Sequence, residues 1–451
     1  MFRIRGCSTI EKIDRQSPPR YFRKHKLHKT TFSSSLIYLS ISSYSMIGVK
    51  RRRCVHLLFF ICVLVAISSF SSSFTIPEEE EVGEGKKLRD NNQFEDLKER
   101  YGHRSSSDSN LIFYTIGDWG VRGIDGIDGG KNFPGSAQMA VAQQMKLLAE
   151  NVQPQFVATL GDNFYGAGVG SLEDRQWDYK YEQVYLKNNS SLRSTRWFAS
   201  LGDHDHCGNV QAQIDYHSAK NYLWHLGKAK TPYYHKEFRI GGGSSTSDSD
   251  NISDEMQLIV VDWVGLEGLL AGKEKRRFED QLGDFASAEA GEEQFNWLKR
   301  VLERGHGKYR WRVVTGHRPI ISASSRFAHD NVAYPGESST REALRVLLEN
   351  SDVDVYLNGH DHTAQHACTQ RDDFNGKNKL THYITNGIGG YELHHLVDND
   401  KRPIETLDAK NTFHGFAMHS VTKDKFDTVF IGHDGKVELE LSFDKTQQRC
   451  N

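Results

Sequence analysis

Leu111-Ile112-Phe113-Tyr114-Thr115-Ile116 runs into Gly117-Asp118-Trp119-Gly120, and Phe156-Val157-Ala158-Thr159-Leu160 runs into Gly161-Asp162-Asn163-Phe164-Tyr165. Each is a short apolar, β-branched-rich run closed by Gly-Asp, which reads as a buried strand ending in a turn. Between them Ser136 caps a helical pattern through Glu150, with Met139, Met145 and Leu148 on one side. Strand, loop, helix, strand implies a parallel βαβ unit with a right-handed crossover.

Working outward, further strands are expected at Trp197–Leu201, Gln257–Asp262, Trp311–Thr315, Val353–Leu357 and Thr381–Thr385. Helices are expected at Gln294–Arg304 and Thr340–Glu349. Phe416–Val421, Thr428–Ile431 and Val437–Phe443 alternate like antiparallel strands around the turn His433-Asp434-Gly435. The expected architecture is α/β: two mixed β-sheets packed as a sandwich and flanked by helices. It occupies one domain over residues 110–446. Gly241–Asp254, 271–293 and 394–412 read as polar surface loops. Residues 75–109 are acidic, then mixed in charge, then Ser-rich, and read as a disordered linker with no core of its own.

The net charge of -2 conceals an asymmetry. Residues 1–53 carry thirteen Lys/Arg against two acids, which leaves the rest of the chain near −13. An acidic body argues against nucleic acid as a partner, because backbone binding needs a basic face. Lys50-Arg51-Arg52-Arg53, the apolar run Leu57 to Ile67, and Ser68-Ser69 with Ser71-Ser72-Ser73 form a secretory-signal pattern within residues 1–74. The run is short for a membrane span. The expectation is therefore a secreted, luminal or vacuolar protein, with an uncleaved signal anchor as the alternative and membrane association only in that case. The sequons at Asn188, Asn189 and Asn251 agree with secretion. Cys7, Cys54 and Cys62 precede or lie in the signal. Cys207, Cys368 and Cys450 then allow one disulfide at most, for which Cys207 with Cys368 is one candidate pair, ordinary packing of both being the other reading.

Three more segments share the strand-then-polar form: Gly202-Asp203-His204-Asp205, Val314-Thr315-Gly316-His317 and Gly359-His360-Asp361-His362. In α/β sheets, ligands bind beyond the carboxyl ends of strands, where all five segments lie. Their oxygen and nitrogen donors suit hard or borderline metals. Asp162 is the candidate bridge between two ions, which two-metal sites hold ~3.5–4 Å apart. His360 and His362, separated by one residue, can each reach a different ion. Asp361 either orients a histidine or stabilises the turn. Tyr165 discriminates: a phenol with pKa near 10 binds few metals at neutral pH, but a ferric ion is acidic enough to displace its proton. A single Gly-Asp is more often a turn, and a single Tyr more often packing; the set is what carries the reading.

From about Leu111 to Phe443 the chain resembles the metallophosphoesterases, and within them the small, tartrate-resistant type of purple acid phosphatase. The resemblance rests on the five segments above, extended by His206 with Gly208-Asn209-Val210, by Arg318-Pro319 and by Tyr356-Leu357-Asn358. It implies the four-layer metallophosphoesterase fold. It implies that Asp118, Asp162, Tyr165 and His362 hold Fe(III), and that Asp162, Asp203, His317 and His360 hold a divalent iron, zinc or manganese. It places His204 on the substrate phosphate and matches a further family histidine to His329, with Arg318 and Arg326 as alternative phosphate contacts. One position departs: the family carries Asn where this chain has Asp203. A carboxylate there binds a cation more strongly, lowers its Lewis acidity and repels a phosphate dianion.

The expected activity is acid phosphatase: hydrolysis of small phosphate monoesters by a hydroxide held on the binuclear centre, with His204 or His329 assisting the leaving group. No Ser or Cys nucleophile motif is present, so no covalent intermediate is expected. Two alternatives stand beside it: a metallophosphoesterase acting on phosphodiesters or nucleotides, against which Tyr165 argues, and a non-catalytic, membrane-tethered scaffold, which Asp203 favours.

Overall fold

A computed structural model describes residues 84–102, 110–120, 135–187, 190–241, 252–270, 285, 287–333, 335–372, 378–447 and 449–450. The chain divides into two compact units. One, Ile10–Glu84, lies outside the described residues except for Glu84, and with it the signal pattern and Cys54 and Cys62. The sequons at Asn188, Asn189 and Asn251 lie outside them too. The other unit, Gly85–Asn451 with Met1–Thr9, carries everything that follows. No helix among the described residues is long and apolar enough to cross a membrane.

The strands are β1 Leu111–Ile116, β2 Phe156–Thr159, β3 Arg196–Phe198, β4 Trp224–His225, β5 Tyr234–Arg239, β6 Ser253–Val260 and β7 Tyr309–Thr315. They continue as β8 Val355–Asn358, β9 Ala364–Asp372, β10 Asn378–Asn386, β11 Thr406–Lys410, β12 Gly415–Val421, β13 Lys425–Gly432 and β14 Val437–Asp444. One seven-stranded sheet runs β14-β13-β12-β1-β2-β3-β4 and the other β11-β9-β10-β8-β7-β6-β5. Both are mixed: β1 to β4 and β6-β7-β8-β10 pair in parallel, and antiparallel strands complete each sheet. The two sheets face each other through aromatic contacts, Phe156 stacking on Phe238 at 4.1 Å and Trp311 meeting Phe426 edge-on at 5.5 Å. The expected sandwich is therefore present.

Helices cover the outer faces. They are α1 Glu84–Gly102, α2 Ser136–Ala149, α3 Asp203–His206, α4 Val210–Ala219, α5 Trp263–Leu270, α6 Ala288–Gly305, α7 Ser325–Ala333 and α8 Pro335–Asn350. A π-helical stretch, Trp177–Leu186, packs Tyr181 and Tyr185 against Trp119 and Trp197. In α6 the buried Gln294, Leu298, Val301 and Leu302 fall on one face by the 3.6-residue period, and Ser287 caps the helix by accepting from Ala290 N. Leu298, Val301 and Leu302 join Leu344 and Leu348 of α8 in a second apolar cluster against Ile259, Val314 and Tyr356 of the sheet.

Four sequence expectations change. Residues 84–102 of the supposed linker form α1, because Leu97 is buried in the core and Arg100 forms a two-pronged pair with Glu440. The N-cap of α2 is Gly135 rather than Ser136, which is the first helical residue. The polar segment 394–412 holds the edge strand β11, paired with β9, a strand whose mixed polarity concealed it. The disulfide joins Cys368 to Cys450, not to Cys207, which stays outside it and donates its thiol to Asp203 O.

Candidate metal centre

Parallel register brings the five segments together. Ile116 of β1 stands opposite Thr159 of β2, so Asp118 and Asp162 leave the sheet at the same end. Thr315 of β7 stands opposite Leu357 of β8, so His317 and His360 do likewise in the other sheet. Asn386 at the end of β10 ties the sheets by donating to Thr115 O at 2.9 Å. Asp118, Asp162 and His360 all adopt left-handed backbone, at φ 58, 50 and 65. Non-glycine residues occupy that region at a cost and concentrate at functional sites. Gly202 is required by crowding: a Cβ there would fall 2.1 Å from Asp162 Oδ1.

Two groups of donors result. In the first, Tyr165 donates its hydroxyl to Asp118 Oδ1 at 2.9 Å and lies 3.0 Å from His362 Nε2, which is 3.2 Å from the same oxygen. In the second, Asp203 Oδ1 lies 3.2 Å from His317 Nε2 and 3.1 Å from His360 Nδ1. Asp162 stands between them: its carboxylate lies within 4.8 Å of Asp118 in the first group and of His317 and Asp203 in the second, and also of His204. Backbone contacts fix the donors, His360 N giving to Asp118 Oδ2 at 2.8 Å and His204 N to Asp162 Oδ1 at 3.0 Å. The other nitrogens of His317 and His362 meet Leu160 O and Glu392 O, so each ring turns one defined nitrogen inward.

Asp118, Asp162 and Asp203 are each at most 2 % exposed. Three carboxylates buried so closely repel one another and need positive charge. Burial alone would lower the pKa of His317, but Asp162 and Asp203 outweigh it and hold it well above its ordinary value. His360 is likewise raised, by Asp203 and Asp330 against burial. Burial, then Asp118, raises the Tyr165 phenol well above 10. Carboxylate, imidazole and phenol donors in two groups sharing one carboxylate fit two hard or borderline cations.

The remaining residues named from the sequence fall at different depths. His204 is partly exposed, its ring 4.6 Å from that of Tyr165 and its Nδ1 3.1 Å from Gly166 O. His329 is not in the donor cluster; its side chain is 64% exposed on α7, with Nδ1 3.1 Å from Asp330 Oδ1. Arg326 lies 3.4 Å from the same oxygen. Arg318 is buried against Glu267 at 3.0 Å and therefore unsuited to meeting a phosphate from solvent. Asp361 lies 3.7 Å from His394, which stacks on His362 at 3.9 Å.

Sequence reasoning missed Asp330. It is fully buried, and its Oδ2 lies 3.3 Å from His360 Nε2 while Oδ1 faces His329. It also missed Tyr391, which stacks on Tyr165 at 4.1 Å. The only local signal for Asp330 was its place beside His329.

The calcineurin-like phosphoesterase family matches residues 91–364. The tartrate-resistant acid phosphatase type 5 of Oryctolagus cuniculus is 29% identical over 331 residues, covering 72% of this chain and 88% of that protein. Purple acid phosphatase 7 of Arabidopsis thaliana is 27% identical over 355 residues, covering 77% and 90%. Among solved structures, GAP50, the anchor in the inner membrane complex of Plasmodium, superposes with a TM-score of 0.56 at 22% identity, over 75% of this chain and 90% of that one. That likeness is one of fold.

Proposed function

The chain belongs to the calcineurin-like phosphoesterase family, and from that membership we propose that it is an acid phosphatase hydrolysing small phosphate monoesters at a binuclear metal centre. The observation that carries the reading is Asp162, one buried carboxylate within reach of two separate donor groups. Its relatives named tartrate-resistant and purple acid phosphatases support it. We assign Asp118, Tyr165 and His362 to a ferric ion, Asp203, His317 and His360 to a divalent iron, zinc or manganese, and Asp162 to both. When bound, the ions supply a water acidic enough to act as nucleophile at low pH and a positive centre for the phosphoryl oxygens.

The chain's own groups do the rest. His204, at the edge of the cluster, holds a phosphoryl oxygen by donating a hydrogen bond that strengthens as charge builds on it. His329 faces Asp330 with Nδ1, so in its imidazolium form Nε2 would carry the proton given to the departing oxygen. Tyr391 and His394 wall the Tyr165 and His362 rings and hold them in place. We place the protein in a secreted or luminal compartment on the strength of the signal pattern alone.

The test is hydrolysis of an aryl phosphate at acidic pH after loading with iron and with zinc or manganese. Turnover should disappear in Asp162→Ala, and a visible phenolate colour should disappear in Tyr165→Phe. A folded, metal-loaded chain without turnover overturns the reading in favour of a scaffold, which Asp203 would then explain.

A further inference from the structure

Lys180 is fully buried within the π-helical stretch Trp177–Leu186. Its Nζ donates to Gly120 O at 3.1 Å, Tyr165 O at 3.2 Å and Gln176 Oε1 at 2.8 Å. Gly120 lies two residues beyond Asp118 on the same loop, and Tyr165 belongs to the loop that carries Asp162. The loops already touch, Tyr165 N donating to Gly120 O at 2.8 Å and Trp119 Nε1 to Asn163 Oδ1 at 3.2 Å. Gln176 extends the link, its Nε2 donating to Gly168 O at 2.8 Å. From the other side, Gln138 of α2 donates to Lys180 O at 2.8 Å.

An ammonium is costly to bury, and this one spends its donors on main-chain oxygens of two different loops. Wide π turns are rare and recur at functional sites. We propose that Lys180 is a positioning residue: its ammonium fixes the Asp118 loop against the Asp162–Tyr165 loop and so sets the reach of the Tyr165 hydroxyl to Asp118 and His362. Its consequence for metal binding rests on the two-metal reading; the link between the loops does not.

Hydrogen exchange on the full, metal-free chain tests it, comparing the natural protein with Lys180→Met. Residues 117–120 and 162–168 should exchange faster by about tenfold or more, while 203–206 and 359–362 stay unchanged. A uniform rise, which mere core packing would produce, or no change at 117–120 and 162–168, overturns the proposal. Titration with Zn2+ alone should give about 10–100-fold weaker binding in the variant. If the natural chain takes up no zinc, the two-metal reading falls while the exchange result still decides the role of Lys180. If Lys180→Met does not fold, Gln176→Leu keeps the ammonium and removes one acceptor. It should loosen the same two segments, and unchanged exchange there overturns the proposal.

Discussion

Asp203 Oδ1 stands 3.8 Å from Arg318 Nη2, and both side chains are buried. The negative charge of Asp203 thus has a cation beside it, and that cation is itself held by Glu267, which accepts from Trp263 Nε1. Arg318→Met removes the cation that faces both Glu267 and Asp203. A stability loss of about 3–5 kcal/mol is expected, as for other broken buried pairs. Adding Asp203→Asn should recover part of it; strictly additive effects in denaturant melts would show that the two charges are not coupled. Alone, Asp203→Asn should weaken binding of the second metal ion and lower KM for an aryl phosphate.

Asp330 grips the ring nitrogen of His360 that faces away from Asp203. Partners of this kind orient a metal-binding imidazole, and their loss weakens metal affinity roughly 10–100-fold. Asp330→Asn should do so for the divalent ion, as read by titration. Asp361→Asn should have little effect, since the ring nearest its carboxylate is that of His394, at 3.7 Å. Equal effects of the two substitutions would remove the special role of Asp330.

Three buried histidines outside the metal centre make the fold sensitive to acid. Burial holds His366 down to about 4, and His382 and His419 to about 3. The unfolded chain takes up these protons below about pH 6.5, whereas the folded chain does not until near pH 4 and 3. Their contribution is therefore complete above about pH 6.5 and declines as the pH falls. Asp205, pushed up to about 6 by burial and Asp162, works the other way from pH 6 downward. Each of the three rings should cost about 2 kcal/mol between pH 7 and pH 5, opposed in metal-free protein by the raised His317 and His360. The loss is read as the difference in pH profile between the natural chain and His419→Gln, and identical profiles would contradict the burial of a neutral ring at that position.

The disulfide Cys368–Cys450 closes 82 residues and tethers the chain beyond β14 to β9. Chain-entropy arguments give roughly 4–5 kcal/mol for a loop of this length. Cys450→Ala should lower stability by up to that amount, and Cys207→Ala should leave it within about 0.5 kcal/mol, as at most uninvolved positions. Equal losses from the two would indicate that Cys207 does more than donate to Asp203 O.

The strand ends and their donors were legible in the sequence because each is a local pattern. An apolar run followed by Gly-Asp or Gly-His needs only its neighbours to become a strand and a turn, and parallel register then gathers such turns at one end of each sheet. The two sheets and the C-terminal antiparallel strands followed from this, and the structure brings the named carboxylates and imidazoles into one cluster. Strands β9 and β11 did not, since Ala364-Gln365-His366-Ala367 is polar for a buried strand and becomes one only where neighbours cover both faces.

What the sequence by itself determined was which side chains stand at strand ends, and that their oxygen and nitrogen donors are of a kind that suits metal cations. Tertiary structure alone decided which groups hold those side chains in place. Asp330 meets His360 because α7 lies over the second sheet's strand ends, Lys180 reaches two loops because a wide helical turn aims it there, and Cys450 finds Cys368 across the fold. These pairings join residues far apart in the chain, and no local periodicity or turn preference encodes a contact that exists only once the sheets have packed.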